Sequence, residues 1–210
     1  MKSLRLLVLF LLGMGVTGFL LSIDTPRWLV FAVVIIFYLI LMVLPGIYIT
    51  YFSNSLRQIE RYVHRNRHKA IFAFPYALGH GDDQDVERSI ERILTLHKQQ
   101  AMQSIYRTLL AIYRGQPAIA AQHAAAIDRE PLRSYYLAHI AASSGEFQRA
   151  AELSSQIQEP WMNHSIDALI AFESDDSNFP VYVEKSVKAA RGIQKYTLEK
   201  SFNRMKKPLP

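Results

Sequence analysis

Two long apolar runs open the chain, residues 6–23 and 28–51, and neither contains Asp, Glu, Lys, Arg or His. A bilayer core of about 30 Å is crossed by about 20 helical residues, so each run predicts a membrane-spanning helix. Only Asp24, Thr25, Pro26 and Arg27 separate them; Pro26 cannot continue a helix, which predicts a tight hairpin with Trp28 at the membrane interface. Beyond residue 51 the apolar positions recur with a helical period. A basic juxtamembrane helix is expected over 52–73, with Leu56, Ile59, Tyr62 and Val63 on one side. Pro75, Gly79 and Gly81 are expected to break it. Asp82, Asp83 and Asp85, just before Val86, Ile90, Ile93 and Leu94, then mark a helix start, because carboxylates accept from the unpaired N–H groups there.

Further helices are expected over 102–114, 118–127, 132–143, 147–157 and 161–172. A polar turn at 175–178 leads to another, from Phe179 or Val181 to Ala190, and the last covers 193–205. Pro208 and Pro210 are expected to end the chain without structure. The turn required at 96–100 contains neither Gly nor Pro, and a single helix over 86–114 is the alternative. The predicted class is all-α: a two-helix transmembrane hairpin over 1–51, then a domain of α-α hairpins over 74–210.

Charge refines this picture. Lys2 and Arg5 precede the first run and Arg57, Arg61, Arg65, Arg67 and Lys69 follow the second, against Arg27 alone between them. The bias toward cytoplasmic Lys and Arg predicts a two-span plasma-membrane protein, in bacterial terms an inner-membrane one, with both termini in the cytoplasm. A cleaved leader is the other use of such a first run, but 18 apolar residues exceed the usual leader core and no small-x-small site precedes Asp24. Residues 70–183 carry eight Lys or Arg against fourteen Asp or Glu, and residues 184–210 carry eight against two. Anionic cytoplasmic leaflets attract the basic ends, which assigns Trp28, Arg57, Arg61, Arg65, Arg67 and Lys69 to lipid contact.

The second half repeats itself. Gly115 and Gly145 are 30 residues apart, and at the same offset Ala111 matches Ala141, Ala120 matches Ala150, Ala121 matches Ala151 and Ile127 matches Ile157; Pro131 and Pro160 close the units. Upstream, at an offset of 34, Gly81 precedes Gly115, while Val86, Ile90 and Ile93 correspond to Ala120, Ala124 and Ile127. Each unit reads as helix, Gly turn, helix, and small Ala residues let the helices approach closely.

The run Tyr136-Leu137-Ala138, Ala141, Gly145-Glu146-Phe147, Ala150-Ala151 and Pro160 resembles the tetratricopeptide repeat family over roughly residues 66–160. One interval is 30 rather than 34 residues, and the large aromatic and Leu-Gly pair usual in the first helix are missing, so the resemblance is to a degenerate repeat. Two spans followed by such repeats also resembles the layout of HemY-type bacterial membrane proteins. The resemblance implies an α-solenoid whose first helices line a groove for a protein partner, which nominates Tyr106, Arg107, Tyr135, Tyr136 and His139. At helical spacing the same residues also suit a core. The helix at 193–205 either caps the stack or lies on the membrane surface.

Chemical motifs are few. Gly13, Gly15 and Gly18 spell a dinucleotide fingerprint, but inside a membrane run rather than between strand and helix, so they are expected to serve transmembrane helix packing. Pro45 and Gly46 are expected to kink the second run. His64 with His68, and His80 with the three aspartates, are possible cation ligands better explained as a basic face and a helix cap. Cysteine is absent. Ser165 beside His164 and Asp167 is mere adjacency. No enzyme activity, metal, cofactor or nucleic acid is expected. The partners expected are membrane lipid and another protein, held by a cytoplasm-facing adaptor. The alternative is an accessory subunit of a membrane complex or transporter, in which the hairpin makes the functional contact.

Overall fold

The computed structural model describes residues 2–23 and 25–206, and over them the chain forms twelve α-helices, one π-helical turn and no strand. Met1, Asp24 of the expected hairpin turn and residues 207–210, with Pro208 and Pro210, lie outside the described residues. The chain divides into two units, Met1–Thr50 and Tyr51–Pro210.

In the first unit α1 (Lys2–Ser22) packs against α2 (Arg27–Ile47). Large apolar side chains of both helices face outward, among them Phe19 at 67% exposed, Phe31 at 72% and Met42 at 74%. The helical stretch Arg27–Phe52 is long and apolar enough to cross a membrane; Phe10–Ser22 is a shorter apolar helix. Pro45 stays inside α2, and a π-helical turn follows at Tyr48–Phe52, where the Tyr48 N–H reaches both the Leu44 and Pro45 carbonyls. A proline removes one ladder bond, and the widened turn is one way a helix absorbs that loss.

In the second unit the single helix expected over 52–73 is interrupted twice. Residues 53–55 are not helical, α3 runs Leu56–Asn66, and a turn at 67–69 precedes α4, Ala70–His80. The apolar faces of both helices, Ile59 and Val63 on α3 and Phe74 and Leu78 on α4, are buried, and a continuous basic helix could not fold back to bury both. Pro75 and Gly79, expected as breakers, lie within α4. Pro75 is buried, and at Gly79 an added Cβ would sit 2.5 Å from the Tyr196 hydroxyl, so this glycine seats a side chain of the last helix.

The chain then continues as α5 (Asp83–Leu96), α6 (Gln100–Tyr113), α7 (Pro117–Ala125), α8 (Leu132–Ser143), α9 (Phe147–Ser155), α10 (Pro160–Glu173), α11 (Phe179–Ala189) and α12 (Gly192–Met205). Asp82 and Asp85 form the expected cap: the Asp82 carboxylate accepts from the Asp85 N–H at 2.7 Å, and Asp85 accepts from the Asp82 N–H at 3.2 Å. Residues 86–114 are two helices. Gln103 Nε2 makes the break without Gly or Pro by donating to the Leu94 and His97 carbonyls at 2.7 and 2.6 Å, satisfying the end of α5. Pro131 and Pro160 begin α8 and α10 rather than close the units before them.

A single turn geometry recurs at the 30-residue interval. Gly115, Gly145 and Asp175 all have positive φ, at 63°, 78° and 54°. After each, the next N–H reaches back across the helix end: Gln116 to the Ala111 carbonyl at 2.9 Å, Glu146 to Ala141 at 2.9 Å, and Asp176 to Ala171 at 2.8 Å. This is a left-handed helix C-cap built three times. Ala111, Ala141 and Ala171 are buried at all three, as are Ala120 and Ala150 after the first two. Gly81, the expected upstream equivalent, has φ −97°, so the α4–α5 connection is a different turn.

The last helix returns to the first. α12 packs on α11, α4 and α3, burying Tyr196, Leu198 and Phe202, each contributing about 1.5–3 kcal/mol by apolar burial. The Gly192 N–H donates to the Ser53 carbonyl at 2.8 Å.

Candidate functional site

Three of the five residues nominated for a groove gather on α8, and Tyr106 packs into the neighbouring core around Phe74. Tyr135 and Tyr136 on α8 have ring centroids 5.4 Å apart, and His139, one turn on, lies 6.5 Å from Tyr135. Trp161 of α10 lies 5.5 Å from Tyr135. Tyr106 on α6 packs edge-on to Phe74 at 6.4 Å. Burial pushes the Tyr136 hydroxyl well above the ordinary tyrosine range, with the neighbouring Tyr135 and Tyr106 adding to the shift. Burial raises Tyr135 and Tyr106 likewise, offset at Tyr135 by Ser165, whose Oγ is 3.3 Å from its hydroxyl. It also pushes the His139 imidazole down to about 4, so this ring is neutral near pH 7. Arg107 stands apart, exposed and without a polar partner among the described residues.

These tyrosines are half-buried as residues while their hydroxyls are desolvated, so they serve packing first. Ser165 donates to the Met162 carbonyl at 2.8 Å, while His164 and Asp167 pair on their own at 3.6 Å, so the three form no relay. Among the described residues no three His, Asp or Glu side chains converge to hold a metal.

The chain matches no protein-family model, no curated protein and no solved structure.

The residues assigned to lipid contact divide between the units. Trp28, on α2, is 72% exposed. Arg57, Arg61, Arg65, Arg67 and Lys69 are all exposed on α3 and the turn after it. Arg67 is engaged, donating to His64 Nε2 at 2.7 Å and lying over the Tyr76 ring at 5.5 Å. Of the three glycines, Gly13 packs inside the hairpin, where a Cβ would overlap the Tyr38 hydroxyl, while Gly15 and Gly18 face open space.

One constellation has no counterpart in the sequence reading. Asn54 Oδ1 accepts from Lys195 Nζ at 2.7 Å and from Arg191 at 3.3 Å. Lys195 is buried, and desolvation, followed by the charge of Arg191, pulls its ammonium below the usual lysine range. Arg204 donates to the Ala77, Leu78 and Gly81 carbonyls at the end of α4 and pairs with Asp83. Lys200 reaches Glu60 at 3.1 Å. Three basic residues of α12 therefore clasp the start of this unit. The only local signal was a lysine beside the apolar Tyr196 on the last helix.

Proposed function

We propose that this chain is a membrane-anchored, cytoplasm-facing adaptor whose helical repeats hold a protein segment. The observation carrying this reading is the left-handed turn recurring at Gly115, Gly145 and Asp175 with the same hydrogen bonds. Identical turns at a fixed interval stack successive helix pairs in one direction, which is how α-solenoids of the tetratricopeptide kind make a continuous face. In this reading the hairpin crosses the bilayer twice, supported by its apolar outward face and its flanking cations. Tyr106, Tyr135, Tyr136 and His139 supply the contact surface, with Arg107 at its edge.

A second reading rests on the hairpin. Gly15 and Gly18 face open space on an apolar helix, which suits close approach of another transmembrane helix. The protein would then be an accessory subunit.

Photocrosslinking in intact membranes separates the two. A photoreactive residue at Arg107 is expected to trap a discrete protein partner, and one at Gln122 on α7 is not. Adducts from Ile36 on α2 with none from Arg107 would support the accessory subunit and contradict the adaptor.

A further inference from the structure

α3 and α4 pack together, and between them lies an open cleft of about 440 Å³ lined by Glu60, Arg61, His64, Arg65 and His80. Arg61 and Arg65 are one helical turn apart on α3. Both are exposed, and neither guanidinium has a hydrogen bond or ion pair among the described residues. Elsewhere in this unit Arg88, Arg114, Arg133 and Arg149 are each held by a carboxylate, and Arg57, Arg107 and Arg129, unpaired like Arg61 and Arg65 among the described residues, lie outside the cleft. The single carboxylate of the cleft is already engaged: Glu60 receives Lys200 at 3.1 Å and His80 at 4.0 Å.

The other wall is braced. The His80 ring stacks on Tyr76 with centroids 4.6 Å apart, and Arg67 covers the Tyr76 ring while donating to His64. Two unpaired guanidiniums thus face a pre-formed wall carrying imidazole edges, with the local negative charge neutralised by α12. Guanidinium forks match tetrahedral oxyanions, which accept two parallel N–H bonds from each.

We propose that this cleft binds a phosphate group, with Arg61 and Arg65 as its principal ligands and Lys200 holding Glu60 away from it. The phosphate is either that of an anionic lipid headgroup or a free phosphate monoester. The lipid source rests on the membrane-anchored reading above: Leu56, which begins α3, follows Phe52, the last residue of the long apolar helix, by four positions.

The test uses the full chain in phosphatidylcholine nanodiscs in phosphate-free buffer, titrated calorimetrically with inorganic phosphate and with glycerol phosphate. A second arm measures phosphatidic acid retained per protein from mixed nanodiscs by native mass spectrometry. Arg61→Gln/Arg65→Gln is expected to weaken saturable binding by about tenfold or more, and the charge-matched Lys98→Gln/Arg129→Gln, at exposed cations outside the cleft and outside the residues assigned to lipid contact, by less than about threefold. Glu60→Gln is expected to tighten binding by about threefold, a gain that misfolding cannot imitate. Saturation by free phosphate assigns a monoester; selective retention of phosphatidic acid without it assigns the headgroup; either supports the site. Equal weakening in both double variants, no saturable binding in either arm, or no gain in Glu60→Gln overturns it. The free-phosphate arm does not depend on which side of a bilayer α3 faces, so a wrong topology and a wrong site give different results.

Discussion

Arg204 donates to the Gly81 carbonyl at 2.9 Å across 123 residues of chain. The same guanidinium reaches the Ala77 and Leu78 carbonyls and Asp83, so one side chain satisfies the end of α4 and ties the last helix to it. Arg204→Ala is expected to cost about 2–3 kcal/mol, because it removes the Arg204 donor from the Leu78 and Gly81 carbonyls and the ion pair with Asp83, while the Ala77 carbonyl keeps the Gly81 N–H. Asp83→Asn, at a side chain 72% exposed, should cost less than about 1 kcal/mol. Denaturant unfolding of the full chain in detergent measures both.

The three left-handed turns make a stabilising substitution available. Asp175 holds φ 54°, where Gly115 and Gly145 carry no Cβ. Asp175→Gly is expected to raise stability by about 0.5–1 kcal/mol, and Gly145→Ala to lower it by about 1 kcal/mol, although an added Cβ at Gly145 meets nothing within 4 Å. Thermal melts of the two variants should move in opposite directions.

His139 links the aromatic cluster to pH. Its imidazole is held down at about 4 by burial, against an ordinary value of about 6.5. Between these values the unfolded chain binds more protons than the folded one, so stability falls as pH drops from about 6.5 toward 4. Wild type should lose about 1–2 kcal/mol more than His139→Gln between pH 7 and pH 5. Unfolding curves of both proteins at the two pH values check the difference.

Gly13 and Gly15 should respond differently to the same change. Gly13→Val forces a side chain into the Tyr38 hydroxyl, whereas Gly15 faces open space. Overpacking costs about 1–3 kcal/mol, so Gly13→Val should lower the hairpin's thermal stability in detergent and Gly15→Val should leave it within about 0.5 kcal/mol.

The helices that were legible were those whose apolar period and turn residue agreed. α8 begins and ends where the spacing places it, and the Gly115 and Gly145 turns follow from their glycines. The third turn escaped as a member of the series because its left-handed residue is Asp175, which reads in a sequence as ordinary loop chemistry. Pro75 and Gly79 stay helical because tertiary packing overrides their local preference: Pro75 is buried, and Gly79, itself exposed, leaves room for the Tyr196 hydroxyl. In the candidate sites, Tyr106, Tyr135, Tyr136 and His139 could be nominated from their place on first helices, and Arg61 and Arg65 from the basic run. The clasp could not: Asn54 with Lys195 and Glu60 with Lys200 are long-range pairs that no local window contains.

Every proposal for the repeats requires them to face the cytoplasm, with the short turn between α1 and α2 on the other side. The absence of native cysteine makes single-cysteine labelling in intact cells the most direct measurement. With a membrane-impermeant maleimide, Thr25→Cys should label in intact cells, while Glu152→Cys on α9 should label only after lysis. Labelling of Glu152→Cys in intact cells would contradict the assignment and with it the cytoplasmic adaptor.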